Sequence, residues 1–202
     1  MVDVNELMQY ERQLLDAGYK YICGVDEVGR GPLAGPVTCS AVIMPLDDLI
    51  QGVNDSKKVS KNKRIKLYDI IMEKAIAVNT VSYDNHQIDE MNILEATKSC
   101  MRDAIMGLSV APDVVLVDAL KLDIPYKTMG IIKGDALSYS IASASIVAKV
   151  TRDKFMFEMA EKYPEYGFES NVGYGTAQHI SALKELGATP IHRKTFIKNF
   201  VK

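Results

Sequence analysis

Apolar positions along this chain of 202 residues switch between a helical and an alternating period. Leu7, Tyr10, Leu14 and Leu15 recur at helical spacing, which predicts an amphipathic first helix over about 5–17 ending near Gly18. Residues 19–26 predict a strand that stops at Asp26. Residues 36–44, rich in Val, Thr, Cys and Ile, predict a second strand ended by Pro45. A helix over 60–74, a third strand over 75–83 and a helix over 89–107 follow. The continuous apolar run Val114-Val115-Leu116-Val117, closed by Asp118, reads as a fully buried strand. A fifth strand is predicted over 126–132, a long helix over 138–163 and another over 176–186, stopped by Gly187. Residues 190–202 read as a basic helical tail packed on the domain. Three strands come early and helices separate the later ones, so the pattern is mixed α/β around one layered core.

Hydrophobic residues make up 48% of the chain, enough for one sizeable core and a single domain over 1–202. The formal net charge is −2, so contact with a nucleic acid would have to come from a local basic surface. Cys23, Cys39 and Cys100 are widely spaced and lack any metal-ligand pattern, and read as small buried hydrophobes in a reducing compartment. No apolar stretch approaches a membrane span and no signal-peptide pattern is seen, so a cytoplasmic location is expected. A P-loop, a GxGxxG turn after the first strand and a GxSxG elbow are all missing from the sequence, which disfavours P-loop nucleotide hydrolysis and serine hydrolase chemistry.

The candidate chemistry lies in acids that end apolar strands. Asp26 and Glu27 follow Ile22-Cys23-Gly24-Val25 and precede Gly29-Arg30-Gly31-Pro32, while Asp118 closes the fourth strand. Neighbouring strands would gather these three carboxylates in the crevice beyond the strand ends. Adjacent residues of a regular strand point to opposite faces, so the glycine-rich segment is expected to turn or bulge the chain after Glu27. Asp153 shares a helix face with Lys149, and either that residue or Asp135 supplies a fourth acid; Asp135 also suits a cap on the long helix. Lys57, Lys58, Lys61, Lys63, Arg64 and Lys66 form a basic cluster able to meet phosphates, or a solvated helix face. Tyr174, between two glycines, is placed for stacking on a base or sugar. His179 and His192 read as structural or phosphate-facing.

These motifs together resemble bacterial ribonuclease HII. The likeness runs from about residue 21 to 196 and rests on Gly24-Val25-Asp26-Glu27-Val28-Gly29-Arg30-Gly31-Pro32, Asp55-Ser56-Lys57-Lys58, Val117-Asp118, Lys133-Gly134-Asp135, Ala144-Ser145-Ile146-Val147-Ala148-Lys149-Val150-Thr151-Arg152-Asp153, Gly173-Tyr174-Gly175-Thr176 and Pro190-Ile191-His192-Arg193. It implies a ribonuclease H-like fold, a mixed central sheet flanked by helices, with a C-terminal helical extension from about 164. It implies cleavage of the RNA strand in RNA–DNA hybrids and incision at single ribonucleotides in duplex DNA. By the same likeness Asp26, Glu27, Asp118 and Asp153 hold the catalytic and metal positions for two Mg²⁺ or Mn²⁺ ions, with Asp26 expected to bridge them. Gly29, Arg30 and Gly31 sense the ribose 2′-hydroxyl, Tyr174 packs on the neighbouring deoxyribose, and Lys57, Lys58 and Arg193 are further substrate contacts. Val28, Ala119 and Asn171-Val172 depart from the family's usual alanine, glycine and His-Lys. A monomer is expected, with a sliding clamp as partner and Lys194-Thr195-Phe196-Ile197-Lys198-Asn199-Phe200 as the candidate clamp peptide. Two readings compete: another nuclease or strand-transfer protein of the same fold, and a non-catalytic nucleic-acid-binding domain.

Overall fold

The computed structural model describes residues 4–201. Its centre is a five-stranded sheet in the order β3-β2-β1-β4-β5, built from β1 (Ile22–Val28), β2 (Val37–Ile43), β3 (Ala77–Tyr83), β4 (Val114–Asp118) and β5 (Lys127–Ile131). β1, β2 and β3 pair antiparallel, whereas β4 joins β1 and β5 joins β4 in parallel. The mixed sheet implied by the family resemblance is therefore present, with the acid-bearing β1 at its middle.

Helices cover both faces. The N-terminal α1 (Gln9–Asp16) precedes β1, and α2 (Lys61–Lys74) joins β2 to β3. The predicted helix over 89–107 is broken in two, α3 (Asn85–Met91) and α4 (Ile93–Met106). Asn92 breaks it: φ there is +71°, and its side-chain oxygen accepts the N–H groups of Leu94 and Glu95 as an N-cap. The long α5 (Tyr139–Lys162) crosses the opposite face, followed by α6 (Phe168–Asn171), α7 (Ala177–Leu186) and α8 (Lys194–Ile197). The tail expected to be helical over 190–202 is helical only in α8; Pro190 and Ile191 before it form a turn, and His192 bridges Ala34. Lys202 lies outside the described residues.

The period of two in β1 decides what each face holds. Cys23 and Val25 pack with Val115, Val117 and the α4 residues Cys100, Met101 and Ala104. Ile22 packs on the other side with Val114, Leu116 and Ile141 of α5. All three cysteines are free and buried. No helix among the described residues is long and apolar enough to cross a membrane.

Two unexpected partners hold α5 in place. Its N-cap is Ser138, whose hydroxyl accepts the Ile141 N–H, so Asp135 does not serve as the cap. Glu11 of α1, fully buried, accepts hydrogen bonds from the Ser138 hydroxyl at 2.6 Å and the Ser140 N–H at 3.0 Å. A carboxylate near a helix N-terminus suits the exposed N–H groups and the positive end of the dipole. Against β1, α5 lies so close that a Cβ on Gly24 would stand 2.1 Å from the Ser140 carbonyl carbon. Backbone on both sides leaves nothing to rotate away. Gly24→Ala is expected to cost about 3 kcal/mol or more, measured as a lowered denaturation midpoint; a fold that tolerates alanine there would contradict this packing.

Candidate active site

Register sets the geometry of the acids. Val25 pairs with Val117 in the parallel β1–β4 ladder, so Asp26 and Asp118 stand side by side one residue beyond it. Both continue the even-numbered face that carries Ile22, Val114 and Leu116, so both look toward α5. Glu27 belongs to the opposite face. β1 stays in register with β2 through Glu27↔Cys39 and Val28↔Thr38, and the turn expected in the glycine-rich segment after Glu27 comes at Gly29, where φ is +94°. Glu27 sits near the strand end, where Arg30 approaches its carboxylate at 3.6 Å.

The three carboxylates feel one another strongly. Burial, then the charges of Glu27 and Asp118, push the Asp26 pKa well above the usual carboxylate range; hydrogen bonds from Ser145 and the Glu27 N–H oppose this. Burial also raises Glu27, with Arg30 pulling down and Asp118 pushing up. Asp118 is steadied by the Gly134 N–H at 2.8 Å. The fold thus presses like charges together in a half-dry corner, an arrangement that favours protons or a cation.

Two further acids, Asp55 and Asp135, pair with Lys58 and Lys57 beside them. Burial and Asp55 raise Asp135, while Lys57, 3.6 Å away, counters them. The Ser56 hydroxyl is 2.8 Å from that of Ser145, the residue that hydrogen-bonds Asp26, so the Asp55-Ser56-Lys57-Lys58 turn is tied directly to the acids. Ser145 is a contact of the candidate site that the sequence did not single out. Its i, i+4, i+8 relation to Lys149 and Asp153 was the available signal.

Asp153 lies two turns, about 12 Å, farther along that stripe, and its carboxylate accepts from Lys149 at 2.7 Å. Asp26, Glu27 and Asp118 feel one another's charges, whereas Asp153 is paired with Lys149. Among the described residues, no three His, Cys, Asp or Glu side chains stand placed to hold one metal ion. The donor set nevertheless suits Mg²⁺ or Mn²⁺: hard carboxylate oxygens, partly desolvated and mutually repelling, around an ion that keeps several waters.

The loop 29–36 is held from behind by two buried arginines. Arg152 donates to the carbonyls of Pro36, Val172 and Ala34 at 2.8, 2.9 and 3.2 Å. Arg193 donates to the carbonyls of Arg30 at 2.9 Å, of Gly35 through two nitrogens, and of Gly29. Arg193 is fully buried, which corrects its assignment as a substrate contact: it shapes the Gly29-Arg30-Gly31 loop from beneath. By contrast Lys57 and Lys58 have exposed side chains, and Tyr174 is 43% exposed with its ring beside Gly31. Of the remaining basic cluster, Arg64 donates to the Ser56 carbonyl and Lys61 lies over the Phe157 ring.

Two departures from the family pattern fall at left-handed backbone positions, Ala119 with φ +53° and Val172 with φ +44°. Such conformations cost a side-chain-bearing residue about 1–3 kcal/mol. Arg152 grips the Val172 carbonyl, and buried Asn171 accepts the Gly173 N–H and donates to the Tyr166 carbonyl. The candidate clamp peptide is not a free strand: Phe196 lies under the Arg193 guanidinium, Ile197 is buried and Phe200 packs on the tail cluster.

Raised carboxyl pKa values fix a sign. Asp26 and Glu27 hold protons more tightly folded than unfolded, so their contribution to stability is complete below about pH 4 and is lost as pH rises through the raised folded values. In chelator, Asp118→Asn is therefore expected to stabilise the protein at pH 8, because it removes a negative charge that pushes both Asp26 and Glu27 upward. Thermal denaturation of both forms from pH 4 to 9 tests this, and an asparagine variant that is less stable at high pH would contradict it.

Known proteins similar to this chain point to one family. The model of the family "Ribonuclease HII" matches residues 23–199. Ribonuclease HII of Acetivibrio thermocellus is 54% identical over 97% of this chain and 77% of its own length. That of Bacillus anthracis is 53% identical over 98% of this chain and 77% of its own. Among solved structures, ribonuclease H2 from Pyrococcus horikoshii superposes with a TM-score of 0.75 at 26% identity, covering 87% of this chain and 93% of that one. The ribonuclease HII of the PCNA complex from Archaeoglobus fulgidus gives 0.74 at 26% identity over 86% and 94%. With three strand-end carboxylates, a glycine-arginine-glycine loop and a family match over most of its length, this chain belongs to the ribonuclease HII family.

Proposed function

We propose that the protein is a divalent-metal-dependent endoribonuclease that cuts the RNA strand of RNA–DNA hybrids and incises 5′ of single ribonucleotides in duplex DNA. The observation that carries this is the mutual repulsion of Asp26, Glu27 and Asp118 at the open end of β1 and β4, beside the 29–31 loop. A site that raises its own carboxyl pKa values has stored a demand for positive charge.

Each residue then has a physical task. Asp26, Glu27 and Asp118 would hold the ions, and Asp153 would join them on leaving Lys149. Two Mg²⁺ or Mn²⁺ ions, when bound, supply charge neutralisation at the scissile phosphate and a more acidic water. Gly29, Arg30 and Gly31 present main chain to the 2′-hydroxyl, the group that separates a ribonucleotide from its DNA neighbours. Gly31 leaves room there, since a Cβ would meet only the Tyr174 ring, at 3.6 Å. Tyr174 offers an exposed ring for the adjoining sugar, and Lys57 and Lys58 offer charge to the backbone. The products would carry 3′-hydroxyl and 5′-phosphate ends.

The same proposal covers a cytoplasmic, monomeric enzyme engaged in ribonucleotide and RNA primer removal. A sliding clamp remains the proposed protein partner by likeness to the archaeal relative solved with PCNA. The packing of Phe196 and Phe200 into the domain speaks against residues 194–200 as the recruiting peptide.

A duplex carrying one ribonucleotide, incubated with Mg²⁺, Mn²⁺ or chelator, tests the whole. Incision 5′ of that residue with either metal, lost in chelator, is expected; equal cutting of all-DNA duplex would favour another nuclease of this fold. Asp118→Asn should lower kcat by at least about 10³-fold while retaining hybrid binding. Retained cleavage in that variant would remove Asp118 from the chemistry. Lys58→Ala should weaken binding across sequences and lower the salt slope by about one, read from affinity between 50 and 200 mM salt.

A further inference from the structure

The tail holds two imidazoles that the acids do not use. His179 on α7 and His192 just before α8 are 0% and 2% exposed, with their Nε2 atoms 3.0 Å apart. Phe168 stands edge-on to His179 at 5.1 Å, and the Tyr166 ring lies 5.4 Å from His192. Two ring nitrogens at that distance share one proton, and the bonds at their far ends decide whose it is. The Thr189 backbone N–H donates to His192 Nδ1 at 2.9 Å, and a backbone N–H cannot act as an acceptor. His192 therefore carries its proton on Nε2 and donates it to His179 Nε2. His179 then keeps its proton on Nδ1 and donates it to the Tyr174 carbonyl at 2.9 Å. Burial lowers both imidazoles, His192 to about 4, so both are neutral at neutral pH, as the relay requires.

Each end of this relay touches the substrate-facing loops. The Tyr174 carbonyl also accepts the Thr176 N–H at 2.8 Å, which fixes the peptide that carries the exposed ring. The Gly173 carbonyl accepts the Leu33 N–H at 2.8 Å, so the same turn is stitched to the 29–36 loop. At the other end, His192 precedes Arg193, whose guanidinium holds the Gly29, Arg30 and Gly35 carbonyls. Asn85 adds its amide to the Pro190 and His192 carbonyls at 3.0 Å each.

We propose that the His179–His192 pair is a positioning device that sets the Tyr174 ring against Gly31, and through it the grip on the sugar beside the cleaved linkage. This rests on the proposed junction recognition by Gly29, Arg30, Gly31 and Tyr174. Neither histidine touches the reacting atoms; both act through the Tyr174 backbone. His179→Leu removes the donor at similar bulk. His179→Asn returns an N–H close to where Nδ1 stood.

The test is steady-state incision of a duplex with one ribonucleotide. His179→Leu is expected to raise KM about tenfold while kcat falls less than about threefold, and His179→Asn to recover KM to within about threefold. In a Tyr174→Ala background, His179→Leu should add nothing further to KM. A folded His179→Leu with the wild-type KM, or one whose full penalty persists without the tyrosine ring, would overturn the proposal. Should the leucine variant not fold, nitrogen-15 imidazole spectra of the wild-type protein decide: protons on His179 Nδ1 and His192 Nε2 support the relay, and the reverse tautomers overturn it. Wild-type protein that leaves the ribonucleotide duplex intact would instead overturn the proposed function, while the tautomers would still report on the relay.

Discussion

Two guanidinium groups buried among backbone carbonyls hold the working surface of this protein in shape. Arg152 reaches from α5 and Arg193 from the entry to α8, and between them they satisfy carbonyls at positions 29, 30, 34, 35, 36 and 172. A loop so rich in glycine would otherwise be loose, because glycine restricts its own backbone least. Burial lowers the arginines to about 10 and 9, which still leaves both charged at neutral pH. The planar fork of arginine suits this task, since its fixed donors match several carbonyls at once, which a lysine could not do. Removing either would leave carbonyl oxygens buried and unpaired, a change more costly than the net gain of making the bonds.

That rigid loop stands beside a corner that works against stability. Asp26 is 5% exposed and feels the charges of Glu27 and Asp118, so the sheet tolerates repulsion at its centre. Its tolerance comes from the apolar packing on both faces of β1 and from the close fit of α5 at Gly24. A cation would turn the repulsion into attraction, and the strained charge pattern is thus part of the site's affinity.

The helical tail from residue 164 onward connects these features. It supplies the Tyr174 turn, the imidazole pair and Arg193, and it reaches back to α3 through Asp89, which accepts the Lys194 and Thr195 N–H groups at 2.7 and 3.0 Å. Three of the proposed catalytic acids come from the sheet and Asp153 from α5, and the proposed substrate-recognising surface comes from the interlaced loops and tail. The left-handed Val172 marks the point where the two meet, held there by Arg152.

Much of this was legible in the sequence. The strands near 22–28, 37–43, 77–83 and 114–118, the long helix and the strand-end acids all followed from local periodicity and from acids placed after apolar runs. Those features depend on neighbours within a few residues, so the sequence carries them directly. What it could not carry were partners distant along the chain. Glu11 bonding at the head of α5, Ser145 linking Asp26 to Ser56, and Arg193 buried beneath the loop rather than facing substrate all depend on contacts more than eighty residues apart. The continuation of β1 past Asp26 to Val28 belongs to the same class, because pairing with β2 sets it, and the chain turns only at Gly29. A side chain's type is written in the sequence, but whether a buried arginine meets a phosphate or a carbonyl is settled only by what folding places beside it.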